Sequence, residues 1–167
     1  NVIELPALAN DECTGATPVV SGVNGPFSNV GATTSIAPGP MTCSTGSTND
    51  VWFSYTAPAT GTLTVSGCFS DYFQSIELYD GGAGCGGLTS LACREYFRCE
   101  FVTAQVHAGD LIYIRIAATI SWGGTNGTFS LWVDVFPLIT NDECTTALPV
   151  YPGANGPFSN FGATTST

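Results

Sequence analysis

The chain contains no lysine, and its three arginines, Arg94, Arg98 and Arg115, stand against 13 acidic residues. The formal net charge is −10 over 167 residues. A nucleic-acid binder needs a basic footprint for the phosphates, so nucleic acid is disfavoured as a partner. An anionic membrane surface is disfavoured for the same reason. No apolar run approaches the roughly 18 residues of a membrane-spanning helix, so membrane insertion is not expected. No basic stretch followed by an apolar core opens the chain in the manner of a secretion signal. The seven cysteines form no CxxC pair, which removes the usual zinc and redox spacings. No nucleophile elbow of the GxSxG type is present, and the single histidine, His107, sits in the turn-like "VHAGD". A Ser-His-Asp hydrolase is therefore not expected, and His107 reads as an exposed turn residue. No window shows helical periodicity with caps.

Gly, Ser, Thr, Asn and Pro take the place of charge. Charged residues make up 10% of the chain and apolar ones 44%, whereas soluble domains average about 25% charged. This is the palette of an all-β protein with many turns. Period-two alternation recurs. "DVWFSYTA" places Val51, Phe53 and Tyr55 on one face and Trp52, Ser54 and Thr56 on the other. "TLTVSGC" alternates Leu63 and Val65 with threonines, and "SIELYD" turns Ile76 and Leu78 inward. "EFVTAQV" and "LIYIRIA" flank the tight turn "HAGD", and "GTFSLWVDVF" sets Phe129, Leu131, Val133 and Val135 on one face. About seven or eight antiparallel strands of this size imply an all-β, disulfide-stapled, jelly-roll-like β-sandwich. Asp50 is expected to cap the start of the "VWFSY" strand.

The chain repeats itself. "NDECTGATPVVSGVNGPFSNVGATTS" from Asn10 returns as "NDECTTALPVYPGANGPFSNFGATTS" from Asn141, an offset of 131 residues. Twenty of the 27 positions from Asn10 to Ile36 match their counterparts. We read residues 1–9 as a linker or strand leading in, 10–136 as one β-sandwich unit, and 137–167 as the start of the next, packing on or completing a neighbouring unit. A period of this size implies a string of domains rather than a solenoid. The joining stretch "LWVDVFPLITNDEC" is short and apolar, unlike a Gly/Ser tether. Adjacent units are expected to pack into a rod or filament, with neighbouring copies as partners.

The repeat also explains the odd cysteine count. Cys144 copies Cys13, which leaves Cys13, Cys43, Cys68, Cys85, Cys93 and Cys99 to one unit. Three disulfides imply an oxidising, extracellular or cell-surface setting. Spacing alone leaves the connectivity open. The arrangement expected is Cys13–Cys43, Cys85–Cys93 and Cys68–Cys99, with Cys144 pairing beyond the last residue or unpaired.

The motifs "NDEC..A.PV", "GPFSN.GATTS", "NDVWFSYTAPATGTLTVSGC", "SIELYDG" and "VHAGDLIYIRIA" with the closing "GTFSLWV" resemble bacterial pre-peptidase C-terminal (PPC-like) β-sandwich domains over about residues 10–135. The resemblance implies a non-catalytic accessory module, often in tandem, that serves as a spacer, adhesive or carbohydrate-contacting unit. Relatives often carry acidic residues after the cysteine that corresponds to Cys93. Here the text is "CREYFRC", with Arg94 first and Glu95 the nearest acid, which weakens a calcium site of that kind.

Several residues remain as contact or ligand candidates. Asp71 and Asp80 are the weak calcium candidates, and no DxDxDG loop supports them; no metal and no cofactor is expected. The carboxylates Asp11, Glu12, Glu77, Glu95, Glu100 and Asp110 mostly adjoin turns, which does not suit a glycosidase pair. Tyr72, Phe73, Tyr96, Phe97 and Trp122 fall in loops and suit a surface glycan or a subunit contact. Phe136, Tyr151, Phe158 and Phe161 belong to the joining and repeated segments and are inter-unit candidates. "REYFRC", bounded by Cys93 and Cys99, reads as a stapled knob. The sequon at Asn126–Thr128 reads as a hairpin turn. The expectation is a non-catalytic extracellular structural protein, with a carbohydrate-binding accessory module of a secreted hydrolase as the alternative.

Overall fold

Alternating apolar residues bury one face of a strand and leave the other free, so strands of this pattern pack in pairs of sheets. The computed structural model realises that arrangement and describes residues 8–44, 46–67, 70–95, 101–119, 126–139, 141, 144–158 and 160. The described residues form nine strands: β1 Thr17–Pro18, β2 Gly22–Ser28, β3 Ser47–Thr56, β4 Gly61–Ser66, β5 Gln74–Asp80, β6 Thr89–Glu95, β7 Val102–Val106, β8 Leu111–Thr119 and β9 Thr128–Pro137. A five-stranded sheet has the order β1-β3-β8-β5-β6, and a four-stranded sheet has the order β2-β9-β4-β7. All pairings are antiparallel except β1 with β3.

The register stacks the expected inner residues. Phe53 lies opposite Ile114 and Tyr55 opposite Ile112, while Leu63 lies opposite Val135 and Val65 opposite Val133. Val51, Phe53, Leu63, Val65, Ile76, Leu78, Ile112, Ile114, Ile116, Phe129, Leu131 and Val133 are all buried in one core between the sheets. Phe53 and Phe129 meet edge to face at 5.9 Å, and the Phe27 ring lies 4.6 Å from Phe53.

Three strands, β1, β2 and β6, lack the pattern that marks the others. β2 ("GVNGPFS") is rich in Gly and Pro and lies at a sheet edge, with an irregularity between Asn24 and Phe27. Proline is tolerated there because an edge strand needs ladder bonds on one side only. β6 ("TSLACRE") is the opposite edge of the other sheet and is mostly exposed, so no burial pattern is imprinted on it. Cys93 lies in a strand that pairs with β5, and the rest of "REYFRC" from Tyr96 on lies outside the described residues.

Candidate functional site

The outer face of the five-stranded sheet is covered. Residues 33–44 cross it strand by strand. Ser35 accepts the Trp52 indole N–H at 2.9 Å above β3. The Gly39 carbonyl accepts from Arg115 Nη1 at 2.7 Å above β8. Thr42 donates its hydroxyl to Glu77 Oε1 at 2.8 Å above β5. Cys43 is joined to Cys93 on β6. A second cover comes from residues 10–16. The Trp52 N–H donates to the Asn10 carbonyl at 2.8 Å, and Cys13 is joined to Cys85 beyond β5. Asp11 ties the two covers together by accepting from the Thr33 N–H and hydroxyl.

Beneath them lies a buried polar network. Asp50 is 0% exposed and Arg115 2%. Arg115 Nε donates to Asp50 Oδ2 at 3.0 Å, and the Ser35 N–H donates to Asp50 Oδ1 at 2.8 Å. The guanidinium also stands 5.3 Å over the Trp52 ring. Burial works to lower the Arg115 pKa, but its bond and charge pairing with Asp50, helped by Tyr79, hold it above its usual value. Glu77, also 0% exposed, accepts from Thr42, from the Tyr79 hydroxyl at 2.7 Å and from the Ser90 hydroxyl at 2.6 Å. Burial, with the hydrogen bond to Glu77 second, pushes the Tyr79 phenol far above its ordinary value. Asp50 is therefore no strand cap. An extra residue between Thr48 and Val51 interrupts the β3–β8 ladder, with Asn49 at φ 52°, and Asp50 lies beneath the cover. These carboxylates are fully engaged and closed to solvent, so the arrangement acts as a clamp between sheet and cover.

The disulfides correct the expected pairings. Cys13 bonds to Cys85 and Cys43 to Cys93, in place of Cys13–Cys43 and Cys85–Cys93. Both bridges fasten cover to sheet, because the cover runs across the strands. Cys144 is free and exposed. Cys68 and Cys99 lie outside the described residues, as do Tyr96, Phe97, Trp122 and Phe161.

The outer face of the four-stranded sheet is more exposed among the described residues. Trp132 and Phe136 of β9 stand on the side opposite the core, with ring centroids 5.9 Å apart, and Phe101 meets Trp132 edge-on at 6.0 Å. Thr62, Thr64, Thr103 and Gln105 flank them on β4 and β7. Phe101 is 52% exposed and Val23, opposite Trp132, 65%. Phe136 was an expected contact residue. Trp132 and Phe101 were missed, although the β9 alternation already sets Trp132 opposite the apolar face.

The remaining candidates scatter. Tyr72 packs inward against Phe129 at 6.1 Å rather than standing at a loop tip. Phe73 is half-buried and its carbonyl accepts the Thr119 N–H. Asp71 accepts from the Thr128 N–H and hydroxyl just ahead of β5, and Asp80 closes an Asx turn with Gly82 at its far end. A strand of this length separates them by roughly 20 Å, so they do not converge on one ion. Among the described residues no group of three metal-ligating side chains is present. His107 is exposed in its turn, where its N–H donates to Asp110.

The tail repeats the local shape of its twin. Asn24 accepts the Val20 N–H and donates to the Val20 and Gly22 carbonyls; Asn155 does the same with Tyr151 and Gly153. Gly22 and Gly153 share a left-handed φ of 101° and 115°. Cys13–Gly15 and Cys144–Thr146 each form one 3-10 turn. Surroundings differ. Val19 is 6% exposed and Val150 68%, while Phe158, unlike the packed Phe27, is 62% exposed. Val20 and Tyr151, which face outward in both copies, are 70% and 71% exposed.

A family model described as galactose binding domain-like, with T9SS association in its name, matches residues 9–131. No curated protein matched the chain. The β-sandwich expected from the strand pattern and the PPC-like resemblance stands, and the family matched is the galactose binding domain-like one. The matched stretch takes in both covers and both sheets as far as Leu131 in β9.

Proposed function

The chain belongs to the T9SS-associated, galactose-binding-domain-like family, and from that premise we propose that it is a non-catalytic extracellular module, one unit in a string of like units in a secreted or surface protein. T9SS denotes the type IX secretion system. Its mention and the two disulfides both favour a secreted or surface location. The observation that carries the reading is the tail. Residues 144–158 hold the conformation of the segment that opens the sandwich, with the residues that would enter a core left exposed. That is the form expected of the opening of a second unit. The function is then mechanical: units each stapled internally by disulfides, with the apolar residues of "LWVDVFP" spent in β9 and only the few residues from Leu138 on left to join one unit to the next.

The second reading, a carbohydrate-binding accessory module, draws on the outer face of the four-stranded sheet. Aromatic rings beside threonine hydroxyls and a glutamine amide are the groups that stack on and hydrogen-bond to sugars.

Electron microscopy of the native protein, with mass determination under non-reducing conditions, separates the two. Rods with an axial repeat of one sandwich, in which Cys144 does not react with thiol reagents, support the string. Dispersed single units that bind a glycan array through Trp132 would overturn it in favour of the second reading.

A further inference from the structure

The repeat gives one chain two versions of a single closing element, one seated and one not. We propose that residues 144–158 dock in the seat of residues 13–27 of a second copy of this chain. The proposal rests on the reading of the tail as a module opening and deepens it by naming the receiving surface.

The seat is defined by what residues 13–27 touch. Cys13 bonds to Cys85. Thr17 and Pro18 pair with Phe53 and Ser54 on the β3 edge. Val19 enters the core. Phe27 stacks against Phe53 at 4.6 Å and Phe129 at 5.8 Å, and β2 adds to the β9 edge. Both docking strands thus lie at sheet edges, where an extended segment can add by main-chain bonds with side chains entering pockets.

The tail presents the matching groups at the same spacing. Cys144, Pro149, Val150 and Phe158 stand where Cys13, Pro18, Val19 and Phe27 stand in the twin. Asn155 sets the same turn between the two strand positions. From Cys13 to Phe27 the copies differ as Thr146 for Gly15, Leu148 for Thr17, Tyr151 for Val20, Pro152 for Ser21 and Ala154 for Val23, and a side chain at position 15 requires the residue that replaces Ala9 to move, because a Cβ there would meet the Ala9 carbonyl. None of these is a position that enters the core. The Ser21 hydroxyl contact to Tyr55 is the one bond that Pro152 cannot reproduce. Exchange of elements that keep the same core residues replaces like core contacts with like, which lowers its intrinsic cost. The segment of the same chain wins by its high local concentration and by its Cys13–Cys85 bond. Loosening that bond opens the seat.

The test uses the full chain with Cys13→Ser, folded in a glutathione redox buffer from a mixture of isotopically light and heavy copies. The Cys85 and Cys144 thiols pass two electrons and two protons to glutathione disulfide, giving one Cys85–Cys144 bond and two glutathione thiols. Peptide mapping is expected to find that bond between light and heavy copies. Adding Val150→Asp and Phe158→Asp is expected to reduce it at least tenfold, the factor that about 1.4 kcal/mol of lost apolar burial produces. The proposal is overturned if Cys85 stays unpaired or on glutathione, if the bond forms within single chains only, or if the charged variant forms it equally. Should Cys13→Ser not fold, the unaltered chain is equilibrated in the same buffer with excess synthetic peptide 141–160. Transfer of the peptide onto Cys85 with release of Cys13 supports docking, and no transfer, or equal transfer of the doubly charged peptide, rejects it. Native material made of single units would sink the string reading and leave this bond standing; a failed bond would sink docking alone.

Discussion

The two sheets of the sandwich share one core and differ in everything outside it. The five-stranded sheet buries both faces over β3, β8 and β5, the outer one under residues 10–16 and 33–44, with Asp50, Glu77 and Arg115 sealed between. The outer face of the four-stranded sheet holds Trp132 and Phe136 half-buried against each other, with Phe101 exposed at their side. The difference is that polar groups on the first face have exchanged water for one another. A buried, paired charge is costly to break, because the partner is then left without water or counter-charge. The same residue type on the second face is near solvent and expendable.

Matched substitutions test that contrast. Asp50→Ala strands the Arg115 guanidinium and the Ser35 N–H, and is expected to cost about 3–5 kcal/mol. Asp134→Ala, on the outer face of the four-stranded sheet, removes a carboxylate whose described bond is to the neighbouring Val135 N–H, and is expected to stay within about 0.5 kcal/mol. Urea denaturation of both variants reads the difference directly. Equal losses would mean that the cover does not seal the ion pair.

Next in size is the fastening of the cover. Cys13 and Cys85 are 72 residues apart in sequence, and closing a loop of that size restricts the unfolded chain by about 4 kcal/mol in the chain-entropy picture. The double variant Cys13→Ser, Cys85→Ser is expected to lose about 2–4 kcal/mol, read as a lower thermal midpoint. Because the cover is held by the bridge while the outer face of the four-stranded sheet is not, hydrogen exchange should rise at Trp52 and Asn10 and stay unchanged at Trp132.

This division also explains what was legible in the sequence. Val51, Phe53 and Tyr55, and the matching series on β8 and β9, declared the inner face because period two records burial on one side. The cover was illegible. Residues 33–44 have no periodicity, and they cross the strands through bonds from hydroxyls and backbone groups that no spacing announces. The disulfide pairing went astray for that reason: neighbours in sequence looked like partners, whereas a crossing segment brings Cys43 to β6 and Cys13 past β5. One signal was available. Arg115 between Ile114 and Ile116, in a chain with two other cations, is out of place on a solvated face, and arginine is buried only with a partner. Glu77 between Ile76 and Leu78 carries the same message. Of the aromatic candidates, Tyr72 was expected outside because its neighbours are loop residues, but Phe129 offered it a ring to pack against.

The smallest effect separates two tyrosines. Burial pushes both phenols well above their ordinary value, with Asp71 adding at Tyr72 and the bond to Glu77 adding at Tyr79. A phenol whose folded pKa is raised resists ionisation, so its contribution is intact below the unfolded value of about 10 and is lost as pH climbs through that value toward the folded one. Both residues should therefore make the sandwich sensitive to alkali, and replacing either with Phe should lessen the loss above about pH 10. At neutral pH they part. Tyr79→Phe takes a donor from the sealed Glu77 and is expected to cost about 1–3 kcal/mol. Tyr72→Phe removes a buried hydroxyl that has no partner among the described residues, and is expected to be neutral or slightly stabilising. Urea melts of the two variants at pH 7 and above pH 10 supply all four values. A cost at pH 7 for Tyr72→Phe equal to that for Tyr79→Phe would show that hydroxyl to be bonded after all, and the sealed network would then extend beyond the covered face.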